Sequence, residues 1–158
     1  GLKNVCAWLM PNEINHLNPI MPLVFLGYGL GAGGFALFFG GGLKEGVIAA
    51  IIGFLMYFFI WINESLKINA LMRTTLTSMF LTALSIIFYH FKMINNLDAT
   101  IIGCLMILTP GIAITNSLRD IIDGNYVSGQ ARLVEAFFIA TAIALGVGLM
   151  RILMKGMI

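Results

Sequence analysis

Residues 46–63 read GVIAAIIGFLMYFFIWIN, eighteen positions without an Asp, Glu, Lys or Arg. Crossing the hydrocarbon core of a bilayer takes roughly 18–20 apolar residues in helical form. Residues 14–43, 74–91 and 99–118 are free of charge as well. A fifth run, 136–150, is shorter and reaches spanning length only as Leu133–Met154, with Glu135 and Arg151 near the interfaces, where long side chains snorkel. The spacing predicts an all-α integral membrane bundle of five transmembrane helices, at about 20–40, 46–63, 72–90, 98–118 and 131–154. Residues 1–19, with Pro11, Glu13, His16 and Pro19, read as an interfacial lead-in. Barrel strands would alternate apolar and polar over about ten residues, and these runs do not.

Composition agrees. Of 158 residues, 59% are hydrophobic and 10% charged, and the mean hydropathy is +0.97, whereas soluble domains carry about 25% charged residues. A net charge of +2 without any basic run excludes nucleic acid and a polybasic lipid anchor as partners. Cys6 and Cys104 fit no metal spacing. No HExxH, Walker lysine motif or GxSxG occurs, so no enzyme, metal or cofactor is expected.

Small residues repeat where helices approach each other. Gly27 and Gly31, like Gly29 and Gly33, are four apart in the first span, and Ala136, Ala140, Ala144 and Gly148 form a stripe in the last. Such spacing predicts close packing. Tyr57, Phe58, Phe59 and Trp61 gather toward the end of the second span, as rings do at headgroup depth. The third span carries Thr74, Thr75, Thr77, Ser78, Thr82 and Ser85. Hydroxyls in membrane helices mostly bond back to their own carbonyls; lining a polar path is the other reading. His90, beside Lys92, reads as interfacial.

The stretch from Leu108 to Glu135, LTPGIAITNSLRDIIDGNYVSGQARLVE, holds five of the sixteen charged residues. Pro110 lacks the N–H its helix would use, and Gly111 lets the chain leave helical geometry. Either the helix merely kinks there, or it breaks, as do the discontinuous helices that form substrate and ion sites in transporters. Beyond it, Asn116, Asp120 and Asp123 fall at i, i+4 and i+7 and share a helical face, and Arg119 and Asp123 are spaced to pair. Arg119 suits a bidentate grip on a carboxylate; Asp120 suits a proton or an ammonium group. The plainer reading leaves these charges among headgroups beside a loop. Asp123-Gly124-Asn125 predicts a turn, and Ser128 the next helix cap.

This stretch, continued through the alanines from Ala136, resembles the signature of the threonine/serine exporter family: Pro110-Gly111, Thr115-Asn116, Arg119-Asp120, Gly124 and Gly129 recur there in this order. The glycine-rich first span ending in Gly40-Gly41-Gly42 is similar too, and the likeness covers nearly the whole chain. The resemblance implies a cytoplasmic-membrane exporter that uses the proton motive force to expel small amino acids or, in some members, a dicarboxylate such as succinate. It also implies a second five-helix unit, fused or separate, and a soluble cytoplasmic region before the spans; Gly1 in place of Met fits an excised piece. On this view Thr109, Pro110, Gly111, Thr115, Asn116 and Arg119 bind substrate. Asp120, Asp123 and Glu135 handle the proton. A membrane subunit that assembles without transporting is the alternative, and a homo-oligomer fits either reading. Five against four basic residues on the two sides of the five-span layout lean the N-terminus toward the cytoplasm.

Overall fold

A computed structural model describes residues 21–64 and 69–157. The lead-in over 1–19 and Lys67 of the second connection lie outside the described residues. Six α-helices follow one another: α1 Met21–Phe38, α2 Leu43–Glu64, α3 Ala70–His90, α4 Leu97–Leu108, α5 Gly111–Ile122 and α6 Tyr126–Leu153. A 3-10 turn at Lys155–Met157 closes the chain, and no strand occurs among the described residues. Three helices are long and apolar enough to cross a membrane, at Leu43–Ile62, Ala70–His90 and Tyr126–Leu153. α4 and α5 pass the test only together, and α1 is a shorter apolar helix. Leu23, Leu30, Phe38, Phe137 and Ile152 are each 70% exposed or more. Apolar side chains this extensive on the outside face lipid rather than water, and the chain is a multi-pass membrane protein.

The helix ends explain these lengths. α1 stops at Phe38 because Gly40 adopts φ 85°, and the amides of Gly40 and Gly41 turn back to Leu37 O and Ala36 O. This is the two-bond left-handed terminator that glycine favours. Lys92, at φ 55°, closes α3 in the same way, its amide bonding Tyr89 O and that of Met93 bonding Phe88 O. Asn96 caps α4, its side chain accepting from the Ala99 amide at 3.1 Å.

α1 and α2 form an antiparallel hairpin, with Gly33 against Gly46 O and Gly53 against Tyr28 O. Phe25 stacks on Phe54 and Phe59 on Phe80, so Phe59, of the aromatic group at the end of the second span, joins α2 to α3. α4 lies on α1, where a Cβ at Gly103 would stand 2.6 Å from Ala36 N. α3 touches α2, α4 and α6. Its hydroxyls bond back as the plain reading has it: Thr77 to Arg73 O, Thr82 to Ser78 O and Ser85 to Leu81 O. α3 and α6 run parallel, with Gly146 against Thr75 and the chain end beyond Leu153 again touching α3. The first turns of α6 therefore extend past the start of α3, and α5 packs on that extension.

The small-residue stripes need correction. A Cβ on Gly27 meets nothing within 4 Å, and one on Gly31 reaches only Ile107 at 3.7 Å. The tight positions are Gly29 against Phe54 and Gly33 against Gly46. In α6 only Ala136 of the stripe is buried; Ala140 and Ala144 are exposed, and Gly148 meets nothing. Residues four apart drift about 40° around a helix at each step. The stripe thus starts inside and ends outside, and Ala142, Ile143 and Gly146 take the inner face further along. Ser128 is likewise no cap, since α6 begins two residues earlier at Tyr126, after Asn125.

Candidate functional site

α4 and α5 meet at an angle of 51°. Thr109 leaves helical geometry at ψ 129°, the conformation that a residue before proline prefers. Pro110 follows at φ −78°, ψ 49°, and the Gly111 amide bonds Thr109 O at 2.8 Å. That is an inverse γ-turn about the proline. Among the described residues the Ile112 and Ala113 amides find no acceptor, nor do the Met106, Ile107 and Leu108 carbonyls find a backbone donor. Helix geometry aims those amides and carbonyls at the interruption from opposite sides. The partial positive end of α5 thus stands beside the partial negative end of α4.

α5 is amphipathic, unlike the other helices. Ser117 is fully buried against α6, where the Gly129 position leaves room for Ser117 O and Ile121. Thr115, Asn116, Arg119 and Asp123 lie on the outer face with Ile112 and Ile122. Arg119 Nε stands 3.8 Å from Asp123 Oδ2, with the side chains 81% and 59% exposed. Contact is loose, and most of the guanidinium's donors remain available to a carboxylate. Asp120 turns inward, and Arg132 of α6 holds it at 3.2 Å. Gly124, at φ 87°, makes the turn between the helices, with Asn125 N bonding Asp120 O.

The residues singled out from sequence are only partly brought together. Thr109 and Thr115 flank the interruption, but their hydroxyls donate to Leu105 O and Gly111 O within their own helices. Their oxygens keep lone pairs for an incoming donor. Glu135 lines an open cleft of about 320 Å3 between α6 and the start of α3, with Asn69, Ala70, Val134 and Phe138. Sequence reasoning missed Arg132 as the partner of Asp120, because the pair is twelve residues apart and formed by a turn. It also passed over Glu45, 3% exposed, whose only sequence signal is a lone acidic residue in the first turn of an apolar helix. No group of three or more His, Cys, Asp or Glu side chains able to hold a metal occurs among the described residues.

The sequence profile of a family described as "Putative threonine/serine exporter" matches residues 12–154. No curated protein and no solved structure matches the chain.

Proposed function

The chain belongs to the threonine/serine exporter family, and on that premise we propose that it is the membrane unit of a secondary exporter of small amino acids driven by the proton motive force. α1, α2, α3, the α4–α5 pair and α6 are then five crossings of the cytoplasmic membrane, with the N-terminus in the cytoplasm. The observation that carries this is the interruption at Pro110-Gly111, where two unbonded amides lie at the start of a helix that also presents Arg119. A zwitterionic substrate offers both charges such a site can use. The Ile112 and Ala113 amides or Arg119 would take the carboxylate, and Asp120 the ammonium group or the coupling proton. Thr109, Thr115 and Asn116 supply neutral hydrogen bonds, with Asp123 and Glu135 as further proton acceptors.

The outer face of α5 is exposed in a single unit, Arg119 most of all. A site must be shielded from lipid to hold charge, so a second five-helix unit or a second copy of the chain completes it. Single-cysteine labelling from 109 to 120, in membranes containing the complete transporter, tests the proposal. A transport site takes up water-soluble thiol reagent and is protected by threonine or serine. Labelling that no substrate slows would instead identify a subunit that assembles without transporting.

A further inference from the structure

Glu45, in the first turn of α2, is the one charged side chain that packing buries among the described residues, and the site at Pro110 leaves it without a role. Its Oε1 accepts from the Asn95 amide at 2.7 Å and the Asn96 amide at 3.2 Å. A Cβ at Gly42 would stand 2.9 Å from Oε2, so the other oxygen fits a space that only glycine leaves. One carboxylate therefore joins the α1–α2 hairpin to the start of α4, some fifty residues away in sequence. The joined segment is also held on either side. Lys92 is fixed in left-handed backbone, and Ile94 between them is 2% exposed.

The charges around Glu45 do not neutralise it. Lys44 beside it on α2 and Lys92 at the end of α3 are both exposed, as is Lys155 after α6. On α4, Asp98 is paired with Arg151 of α6, and His90 on α3 is exposed. No ion pair among the described residues includes Glu45. Backbone amides alone answer its charge.

We propose that Glu45 is a proton-operated latch. Ionised, it ties the start of α4 to the α1–α2 hairpin; protonated, it lets go, and α4 moves together with the interruption at its far end. The chemistry is a loss of charge assistance. Both amides bond Oε1, which still accepts when the other oxygen is protonated, but hydrogen bonds to an ionised carboxylate are roughly twice as strong as those to a neutral carboxyl. Once α4 departs, the carboxylate loses two of the backbone amides that favour its charge and holds a proton more readily than in the closed seam. The proton and the closed seam therefore oppose each other, and each displaces the other by mass action. This deepens the proton-driven exporter reading and rests on it for its purpose, though not for its test.

The test is hydrogen exchange over residues 93–99 in the complete transporter in vesicles, for wild type, Glu45→Gln and Glu45→Ala, from about pH 8 to about pH 4, across the carboxylate range. Glutamine keeps an oxygen for both amides but takes up no proton. Comparing variants at each pH cancels the intrinsic exchange rate. Wild type should exchange about tenfold more slowly than Glu45→Gln at the alkaline end, the usual weight of a hydrogen bond to a charged group, and at the same rate at the acid end, where both side chains are neutral. Glu45→Ala should exchange fast throughout. A wild-type to Glu45→Gln ratio that stays flat, or a Glu45→Ala protein as protected as Glu45→Gln, overturns the latch. Export that ignores an imposed pH gradient in wild type overturns the proton-driven reading instead. The two failures are separate, because exchange reads the seam without transport.

Discussion

Asp120 of α5 and Arg132 of α6 meet at 3.2 Å across the turn at Gly124, and this pair joins the two helices, whereas Arg119 and Asp123, 3.8 Å apart, lie one turn apart on α5 alone. Asp120 is the less exposed partner, at 26% against 55%, so its charge has little other company. Replacing either residue should loosen the hairpin by about 0.5–1 kcal/mol, the range of partly exposed ion pairs. The double replacement should cost less than the sum, as thermal unfolding of all three variants would show. Asp120→Asn should also flatten the pH dependence of export; an unaltered profile would remove Asp120 from proton coupling.

Arg119→Ala should lower export by about tenfold or more while leaving the amount of protein in the membrane unchanged. Its side chain is mostly exposed in the single unit, so loss of folding is not expected. Arg119→Lys separates two modes of recognition: a bidentate grip is lost with lysine, whereas simple charge attraction survives. Initial efflux rates of threonine and serine from cells expressing the complete transporter give the comparison.

Pro110→Ala should straighten the chain toward one continuous helix. Alanine restores an N–H that the unbonded Met106 carbonyl can accept, and removes the steric push on Thr109. Stability should rise by about 1 kcal/mol while export falls, and the loss of thiol labelling near residue 112 would report the closed interruption. Equal export by the variant would show that the interruption is not part of the site.

Gly103→Ala and Gly27→Ala should differ sharply. At Gly103 the added methyl meets Ala36 backbone at 2.6 Å and forces α1 from α4, costing about 1–3 kcal/mol. At Gly27 it meets nothing, and replacing a helical glycine should be neutral or stabilise by up to about 1 kcal/mol. Melting temperatures in detergent would rank them.

Lys92→Gly should stabilise the protein by about 1 kcal/mol, since lysine holds a left-handed conformation at φ 55° that glycine adopts without steric cost. The measurement is again thermal unfolding, and a lower melting temperature would show that the lysine side chain outweighs its backbone strain.

Much of the helical layout was legible because charge near lipid is costly wherever it occurs along a chain. The charge-free run before Lys44 contains α1, the one between Glu45 and Glu64 makes up most of α2, and Gly124 marks a turn by its place between Asp123 and Asn125. Lys92 carried no such mark, being an ordinary residue held in glycine's conformation by the chain around it. At the site, a kink or break at Pro110-Gly111 and the spacing of Arg119 and Asp123 were legible, since both are local. The Asp120–Arg132 pair was not, since a hairpin had to form first.

That the chain is helical, lives in a membrane and belongs with exporters of this kind can be read from its residues alone, because length, apolarity and a motif do not depend on how helices turn toward each other. Tertiary structure alone decided which faces meet: Gly29 and Gly33 rather than Gly27, Gly146 rather than Gly148, and Glu45 against the amides of Asn95 and Asn96. A helix apolar on every side gives no clue to its inward face, because lipid and a neighbouring helix are equally oily. Only packing, and the few buried polar groups that must find partners, fixes its rotation.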